Sequence, residues 1–185
     1  MTNRRRSLGT EPTSLLLGAD DDYVTGYNSD RDSDSCTNII RINRIMHDID
    51  KKEHDLIIIG SRLHTVPVGY SNIGMLPIYQ QDLLFAALPD ACILCVNYYD
   101  DTDYIKRTIG YIESICDAKV IVICVSVFGG SSRWTTLGVC HSAADEQQVC
   151  DGRKRISECF KIPVYMYDEV DKISREIINY FSEGN

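Results

Sequence analysis

Residues 55–97 read DLIIIGSRLHTVPVGYSNIGMLPIYQQDLLFAALPDACILCVN and decide the predicted fold. They hold two short apolar runs, at 56–59 and 91–96, separated by a loop that contains Gly, Ser and Pro and by one amphipathic segment. Strands that are apolar on both faces are typical of parallel sheets covered by helices on both sides, so this stretch predicts a β-loop-helix-β unit. Ligands of such sheets bind just past the carboxyl ends of the strands, which directs attention to residues 60–72 and 97–103.

The same alternation of helix and strand continues through the rest of the chain. Apolar residues at helical spacing predict five helices, at 38–49, 76–88, 103–116, 144–160 and 169–181. Thr37 or Asn38 is expected to cap the first helix. Apolar runs of strand length stand at 56–59, 91–96, 119–127 and 163–167, and we expect the run at 119–127 to lie centrally. The alternation predicts an α/β protein of three layers, with a doubly wound, mostly parallel sheet of about five strands in the middle.

The length of the chain, 185 residues, suits one well-buried core. We therefore expect residues 37–185 to form a single α/β domain. Residues 1–36 are predicted to be an irregular acidic N-terminal segment, because a loop rich in Asp, Gly, Ser and Asn cannot bury enough apolar surface to order itself. The spacing of Asp30, Asp32 and Asp34 is that of a calcium loop, but Ser35 and Arg41 stand where such a loop requires Gly and Glu.

Charge and cysteine content limit the possible partners. The chain has 19 basic and 27 acidic residues, a net charge of −8, which opposes binding to nucleic acid or to an anionic membrane. No apolar run approaches the roughly 20 residues that cross a bilayer. The eight cysteines are scattered, as in proteins whose thiols stay reduced. The protein is expected to be soluble and cytoplasmic, without a nucleic-acid or membrane partner.

The usual nucleotide-binding signatures are missing from the sequence. No Gly is followed by Lys, so G-x-x-x-x-G-K-[ST] does not occur, and neither does G-x-G-x-x-G. A doubly wound sheet of the Rossmann-like type would use one of these turns to hold phosphate.

Other residues nevertheless resemble a nucleotide-dependent family. The segment Asp-Leu-Ile-Ile-Ile-Gly-Ser at 55–61, the pair Val66-Pro67, the triplet at 89–91 and the strand that ends at Asn97 resemble the middle of P-loop NTPases of the dethiobiotin synthetase and cobyrinate synthase type. The segment 9–12, Gly-Thr-Glu-Pro, looks like the end of that family's second strand, which helps to form the substrate pocket. The resemblance spans roughly residues 8–126 and implies a P-loop NTPase-like fold whose P-loop would lie upstream of Met1. A weaker similarity is to uncharacterised proteins found with peptide natural-product maturation systems.

One departure from that family concerns the chemistry. Where active relatives carry an acid that helps to hold Mg²⁺, this sequence has Ile59, and the nearest acid is Asp55. Without that carboxylate and the P-loop Lys, phosphoryl transfer lacks its stabilising cations, so we expect no ATP hydrolysis. The preferred hypothesis is an accessory or binding protein, completed by a second copy or by a partner protein. The alternatives are a small-molecule transferase or ligase that uses the crevice from Gly60 to Asn72, and a non-catalytic protein–protein interaction module.

Two sets of residues are predicted ligand contacts. The first set follows the predicted strands or faces the crevice beyond them: Gly60, Ser61, Arg62, His64, Asn72, Gln80, Asn97 and Asp100, with Glu11 added by the resemblance. The second set is a predicted anion-binding nest: Gly129, Gly130, Ser131 and Arg133. Structural roles stay open for both, since polar residues near strand ends also form exposed loops, cap helices or complement a helix dipole. No catalytic residue, metal or cofactor is predicted.

Two cysteine patterns carry little chemistry. Cys92 and Cys95 form a C-x-x-C by letter, but residues three apart on a strand point to opposite faces, so they cannot act together. Cys140 and His141 are adjacent, yet no third residue is apparent that would orient them as a nucleophile and a base.

Overall fold

The structure is a computed structural model that describes residues 13–17, 34–51, 56–61, 65–67, 78–130, 141–143 and 145–183. Within these ranges the helices are α1 Ser35–Asp50, α2 Ile78–Ala87, α3 Thr102–Cys116, α4 Glu146–Cys159 and α5 Val170–Glu183. The strands are β1 Thr13–Leu17, β2 Ile57–Ser61, β3 Ala91–Asn97, β4 Lys119–Ser126, β5 Phe128–Gly130, β6 His141–Ala143 and β7 Val164–Met166. The predicted α/β class is confirmed, and each of the five predicted helices corresponds to one of these helices.

The chain divides into two compact units. The first consists of Met1–Pro89 with Ile115–Asp117, and the second of Asp90–Ser114 with Ala118–Asn185. The prediction of a single domain over residues 37–185 stays a prediction.

In the first unit, β1 and β2 pair in parallel, from Thr13 opposite Ile57 to Leu17 opposite Ser61. The segment 1–36 was not expected to contain this strand, because its one apolar cluster is only three residues long. Apolar runs this short do not distinguish a strand from a loop without the partner strand.

Helices α1 and α2 pack together in the first unit. The apolar stripe predicted for the first helix is confirmed: Ile42 and Ile49 are buried with residues of α2, and the remaining members of the stripe pack against them, namely Ile39, Ile45 and Met46. Burying this stripe is the main reason that α1 is stable, since a helix of this length gains little from propensity alone.

The start of α1 differs from the prediction. The cap is Asp34, whose Oδ1 accepts a hydrogen bond from the backbone N–H of Thr37 at 2.9 Å. Thr37 and Asn38 were wrong as caps, because both lie inside the helix. Asn38 is instead buried, and its Nδ2 donates to Oδ2 of Asp82 in α2 at 3.1 Å.

In the second unit, β3, β4 and β7 form a parallel sheet in that order. The central position predicted for residues 119–127 is confirmed, since β4 lies between the other two strands. Val122, Ile123 and Val125 of β4 are fully buried, so both faces of this strand are removed from water. Ile105 and Ile112 of α3 are buried as predicted from their spacing.

The helices and apolar runs predicted from the sequence leave residues 128–143 without an element of secondary structure. The structure has a short antiparallel pair there, β5 with β6, from Phe128 opposite Ala143 to Gly130 opposite His141. Strands of three residues, two of them Gly in β5, carry almost no periodic signal, which explains why the sequence did not reveal them.

Candidate functional site

The candidate site lies at the carboxyl ends of β3 and β7 in the second unit. After β3 the chain turns at once: the N–H of Asp100 donates to the carbonyl of Asn97 at 3.0 Å, and the N–H of Asn97 donates to Oδ2 of Asp100 at 2.8 Å. Asn97 and Asp100 were both predicted as ligand contacts, and the structure brings them together. Their contact builds the turn, and their role toward a ligand stays a prediction.

The next carboxylate belongs to the start of α3. Oδ1 of Asp101 accepts a hydrogen bond from the N–H of Asp103 at 2.7 Å. An acidic side chain at this position satisfies an otherwise unpaired N–H and opposes the positive end of the helix dipole. Asp101 therefore has a structural role at the start of α3.

Helix α4 holds the turn after β3 in place. Nη2 of Arg155 donates to the carbonyl oxygens of Tyr98 and Asp100, both at 2.9 Å. Gly152, one turn earlier in α4, lets the helix approach the backbone of Tyr98 closely. A Cβ added at Gly152 would lie 2.9 Å from the Tyr98 carbonyl carbon and nearer still to the carbonyl oxygen. Sequence reasoning missed both residues. The only signal was a Gly inside a polar helix, where Gly is unfavourable unless packing requires it.

A second set of interactions fixes the turn between β7 and α5. The Glu169 carboxylate accepts hydrogen bonds from Lys172 and, at 2.8 Å, from the backbone N–H of Met166. It also forms an ion pair with Arg153 at 3.0 Å. Hydrogen bonds from Lys172 and Met166 hold the pKa of Glu169 below its ordinary value, because they favour the charged carboxylate. Arg153 also donates to the carbonyl of Val164 at 3.3 Å.

A shallow depression of about 330 Å³ lies at the start of α5. Residues of both charge signs line it: Asp168, Glu169, Val170, Asp171, Lys172 and Arg175. Because acidic and basic residues line it together and Lys172 already pairs with Glu169, this depression does not concentrate charge of one sign.

Two tyrosines are exposed where β3 and β7 end. Tyr99 is 40% exposed and packs edge-to-face against Tyr98, with ring centroids 5.1 Å apart. Tyr167 is 48% exposed. Tyrosine is enriched at protein interfaces because it combines a large apolar ring with a polar end.

Below this edge, two cysteines face each other across neighbouring strands. Cys95 of β3 is in register with Cys124 of β4, and Cys95 is exposed whereas Cys124 is only 8% exposed. A hydrogen bond from the Cys124 thiol lowers the pKa of Cys95 to about 7. The pKa of Cys124 is raised, because its proton is held by Cys95 and because it is buried. Sequence reasoning excluded a pair of Cys95 with Cys92 and did not find Cys124, since strand register cannot be read from letters.

The other predicted contacts are distributed over both units. In the first unit, Gly60 and Ser61 end β2, and Gln80 is buried in α2. In the second unit, Gly129 and Gly130 belong to β5 and pair with Ser142 and His141. The remaining predicted residues lie outside the described ranges: Glu11, Arg62, His64, Asn72, Ser131 and Arg133.

The described residues contain neither a candidate metal site nor a helix that could span a membrane. They include no group of three or more His, Cys, Asp or Glu side chains placed to hold a metal ion. None of the five helices in these ranges has the length and apolar character that a bilayer span requires. Comparison of the chain with protein-family models, with curated proteins and with solved structures found no match.

Proposed function

We propose that this chain is an accessory or binding protein with a P-loop NTPase-like fold that lacks the phosphate-binding loop. In this proposal the three-stranded parallel sheet belongs to a doubly wound sheet of about five strands. The resemblance of residues 55–97 to P-loop NTPases and the helix–strand alternation support it. The setting we propose is the maturation of peptide natural products, where the weaker resemblance lies.

The engagement of cations at the carboxyl edge of the β3–β4–β7 sheet is the observation that carries the proposal. Arg155 holds the backbone after β3, and Arg153 and Lys172 hold Glu169 after β7. Phosphoryl transfer needs cations directed at the phosphate oxygens, and these three are directed at the protein. The edge is therefore suited to holding a partner on a rigid surface.

Exposed aromatic side chains indicate where that partner would bind. Tyr99 and Tyr167 follow the two outer strands of this sheet and flank β4. The turn that carries Tyr99 is fixed by Asp100 and Arg155, so little ordering is required on binding. We propose that a second copy of the chain or a partner protein covers these tyrosines.

A nucleotide assay tests the catalytic half of the proposal. The purified chain is titrated with Mg²⁺-ATP by calorimetry and assayed for phosphate release. We expect no turnover above that of the buffer. Magnesium-dependent hydrolysis by the purified chain would refute the proposal.

Sedimentation velocity over a range of protein concentrations tests the association half. Self-association is expected to be lost in the double variant Tyr99→Ser, Tyr167→Ser. The matched control is Tyr180→Ser, which removes a tyrosine of similar exposure from α5. Equal association of wild type, the double variant and the control would exclude the tyrosine surface as the homodimer contact.

A further inference from the structure

The facing cysteines of β3 and β4 form a site that the proposed function does not use. Cys95 and Cys124 are directly opposite in the parallel register, between the pairs Leu94–Ile123 and Val96–Val125. Residues opposite each other on neighbouring strands project to the same face of a sheet, so the two thiols lie side by side. The thiol–thiol hydrogen bond described above agrees with this placement.

The spacing of the strands permits a bond between the two sulfur atoms. Neighbouring strands lie about 4.7–4.9 Å apart. Disulfides form when the Cα atoms are about 4.4–6.8 Å apart, usually near 5.5–6 Å. A Cys95–Cys124 disulfide would therefore be sterically possible, but it would join Cα atoms that lie closer together than in most disulfides. Disulfides of this kind are the more easily reduced ones.

The two thiols also differ in a way that suits sequential chemistry. Cys95 is exposed and can meet a reagent from solution, whereas Cys124 is buried and lies opposite Cys95. The lowered pKa of Cys95 means that a substantial fraction is thiolate near neutral pH, and the thiolate is the nucleophile.

We propose that Cys95 and Cys124 form a reversible dithiol–disulfide pair that exchanges with low-molecular-weight disulfides. The Cys95 thiolate attacks one sulfur of the disulfide RSSR, the RS–SR bond breaks, and RS⁻ leaves with its electron pair. The Cys124 thiol then gives its proton to the released thiolate, and its sulfur attacks the sulfur of Cys95 and expels the second RS⁻. This second RS⁻ takes up from water the proton that Cys95 lost when it ionised. The protein dithiol is oxidised by two electrons, and RSSR is reduced to two molecules of RSH.

The test uses the full-length, reduced chain and oxidised glutathione as the probe. After alkylation of the remaining thiols, tryptic peptides are examined by mass spectrometry. Cys124 is the sole cysteine of peptide 120–133, whereas Cys92 and Cys95 share peptide 63–106. The Cys92→Ser variant therefore makes the assignment unique and serves as the control, because Cys92 points to the opposite face of β3.

The expected product is peptide 63–106 joined to peptide 120–133, in wild type and in Cys92→Ser, with both thiols recovered on adding dithiothreitol. Cys124→Ser is expected to stop at a stable glutathione adduct on Cys95, and Cys95→Ser to leave Cys124 unmodified. The result with the wild-type chain tests the proposal even if a variant fails to fold. A wild-type chain in which Cys95 carries glutathione while Cys124 stays alkylatable would overturn the proposal, as would a linkage of Cys95 to any other cysteine.

Discussion

Gly152 and Gly110 offer a comparison in which the same substitution has opposite effects. Both glycines lie inside helices, α4 and α3, where replacement by Ala raises helix propensity by about 1 kcal/mol. Around Gly110 no heavy atom lies within 4 Å of an added Cβ. Around Gly152 the added Cβ would meet the backbone carbonyl of Tyr98. The contacts of the added Cβ, and not the helix propensity, therefore decide whether the substitution stabilises or destabilises the protein.

The size of the stability loss in Gly152→Ala depends on which part of the structure can move to relieve the clash. The Tyr98 carbonyl is held by Arg155 at 2.9 Å, so relief of the clash requires α4 to shift away from β3. Overpacking of this kind costs about 1–3 kcal/mol and sometimes more. Because the clash is with a backbone carbonyl that is itself held, we take the upper cost of about 3 kcal/mol. Less a propensity gain of about 1 kcal/mol, Gly152→Ala should lower the free energy of unfolding by about 2 kcal/mol. Gly110→Ala should raise it by about 0.5–1 kcal/mol.

Urea denaturation followed by circular dichroism measures both values, with wild type as the reference. Hydrogen exchange of α4 peptides adds a local readout, since a shifted helix loses protection before the whole unit unfolds. A Gly152→Ala variant as stable as wild type, or more so, would show that α4 does not approach the turn after β3 closely and that this contact does not fix the turn.

Two further predictions concern buried and charged groups. Asn38→Ala leaves the buried carboxylate of Asp82 without its amide donor, so it should lower the free energy of unfolding in urea by about 1.5–3 kcal/mol. The control Asn43→Ala removes an exposed amide from the same helix and should change that free energy by under about 0.5 kcal/mol. Equal effects of the two substitutions would contradict the Asn38–Asp82 contact. The pKa of Glu169 is lowered, so its contribution is fully present above its ordinary pKa of 4.5 and is lost as pH falls through the lower folded pKa. The gap in melting temperature between wild type and Glu169→Gln should therefore narrow as the pH is lowered from neutrality to below 4.5, and a gap that does not change with pH would show that the charge of Glu169 contributes nothing.

Periodic elements could be predicted from the sequence because burial imposes the period. The stripe on α1 and the apolar run of β4 both follow from which residues must leave water, and both are observed. The cap of α1 could not be fixed to one residue, because Asp34, Ser35 and Thr37 all have capping side chains. Only the geometry of the turn selects Asp34.

The residues that shape the candidate site were harder to find. Arg155 acts on carbonyl groups 55 and 57 residues away in sequence, and nothing local distinguishes it from other exposed arginines. The pairing of Cys95 with Cys124 depends on register, which a one-residue slip would abolish. Asn97 and Asp100 could be predicted to lie together, since they are three residues apart at the end of a strand.

The turn after β3 is held in place through its main-chain atoms, whereas its exposed side chains take no part in these contacts. Arg155 binds carbonyl oxygens of Tyr98 and Asp100, and Gly152 contacts the backbone of Tyr98, so these contacts depend on main-chain atoms and not on the ring of Tyr99. Replacing Tyr99 should therefore change what binds at this edge without moving the turn. A surface whose backbone is fixed while its exposed side chains can vary is suited to recognition of a partner, since specificity can change there at little cost in stability.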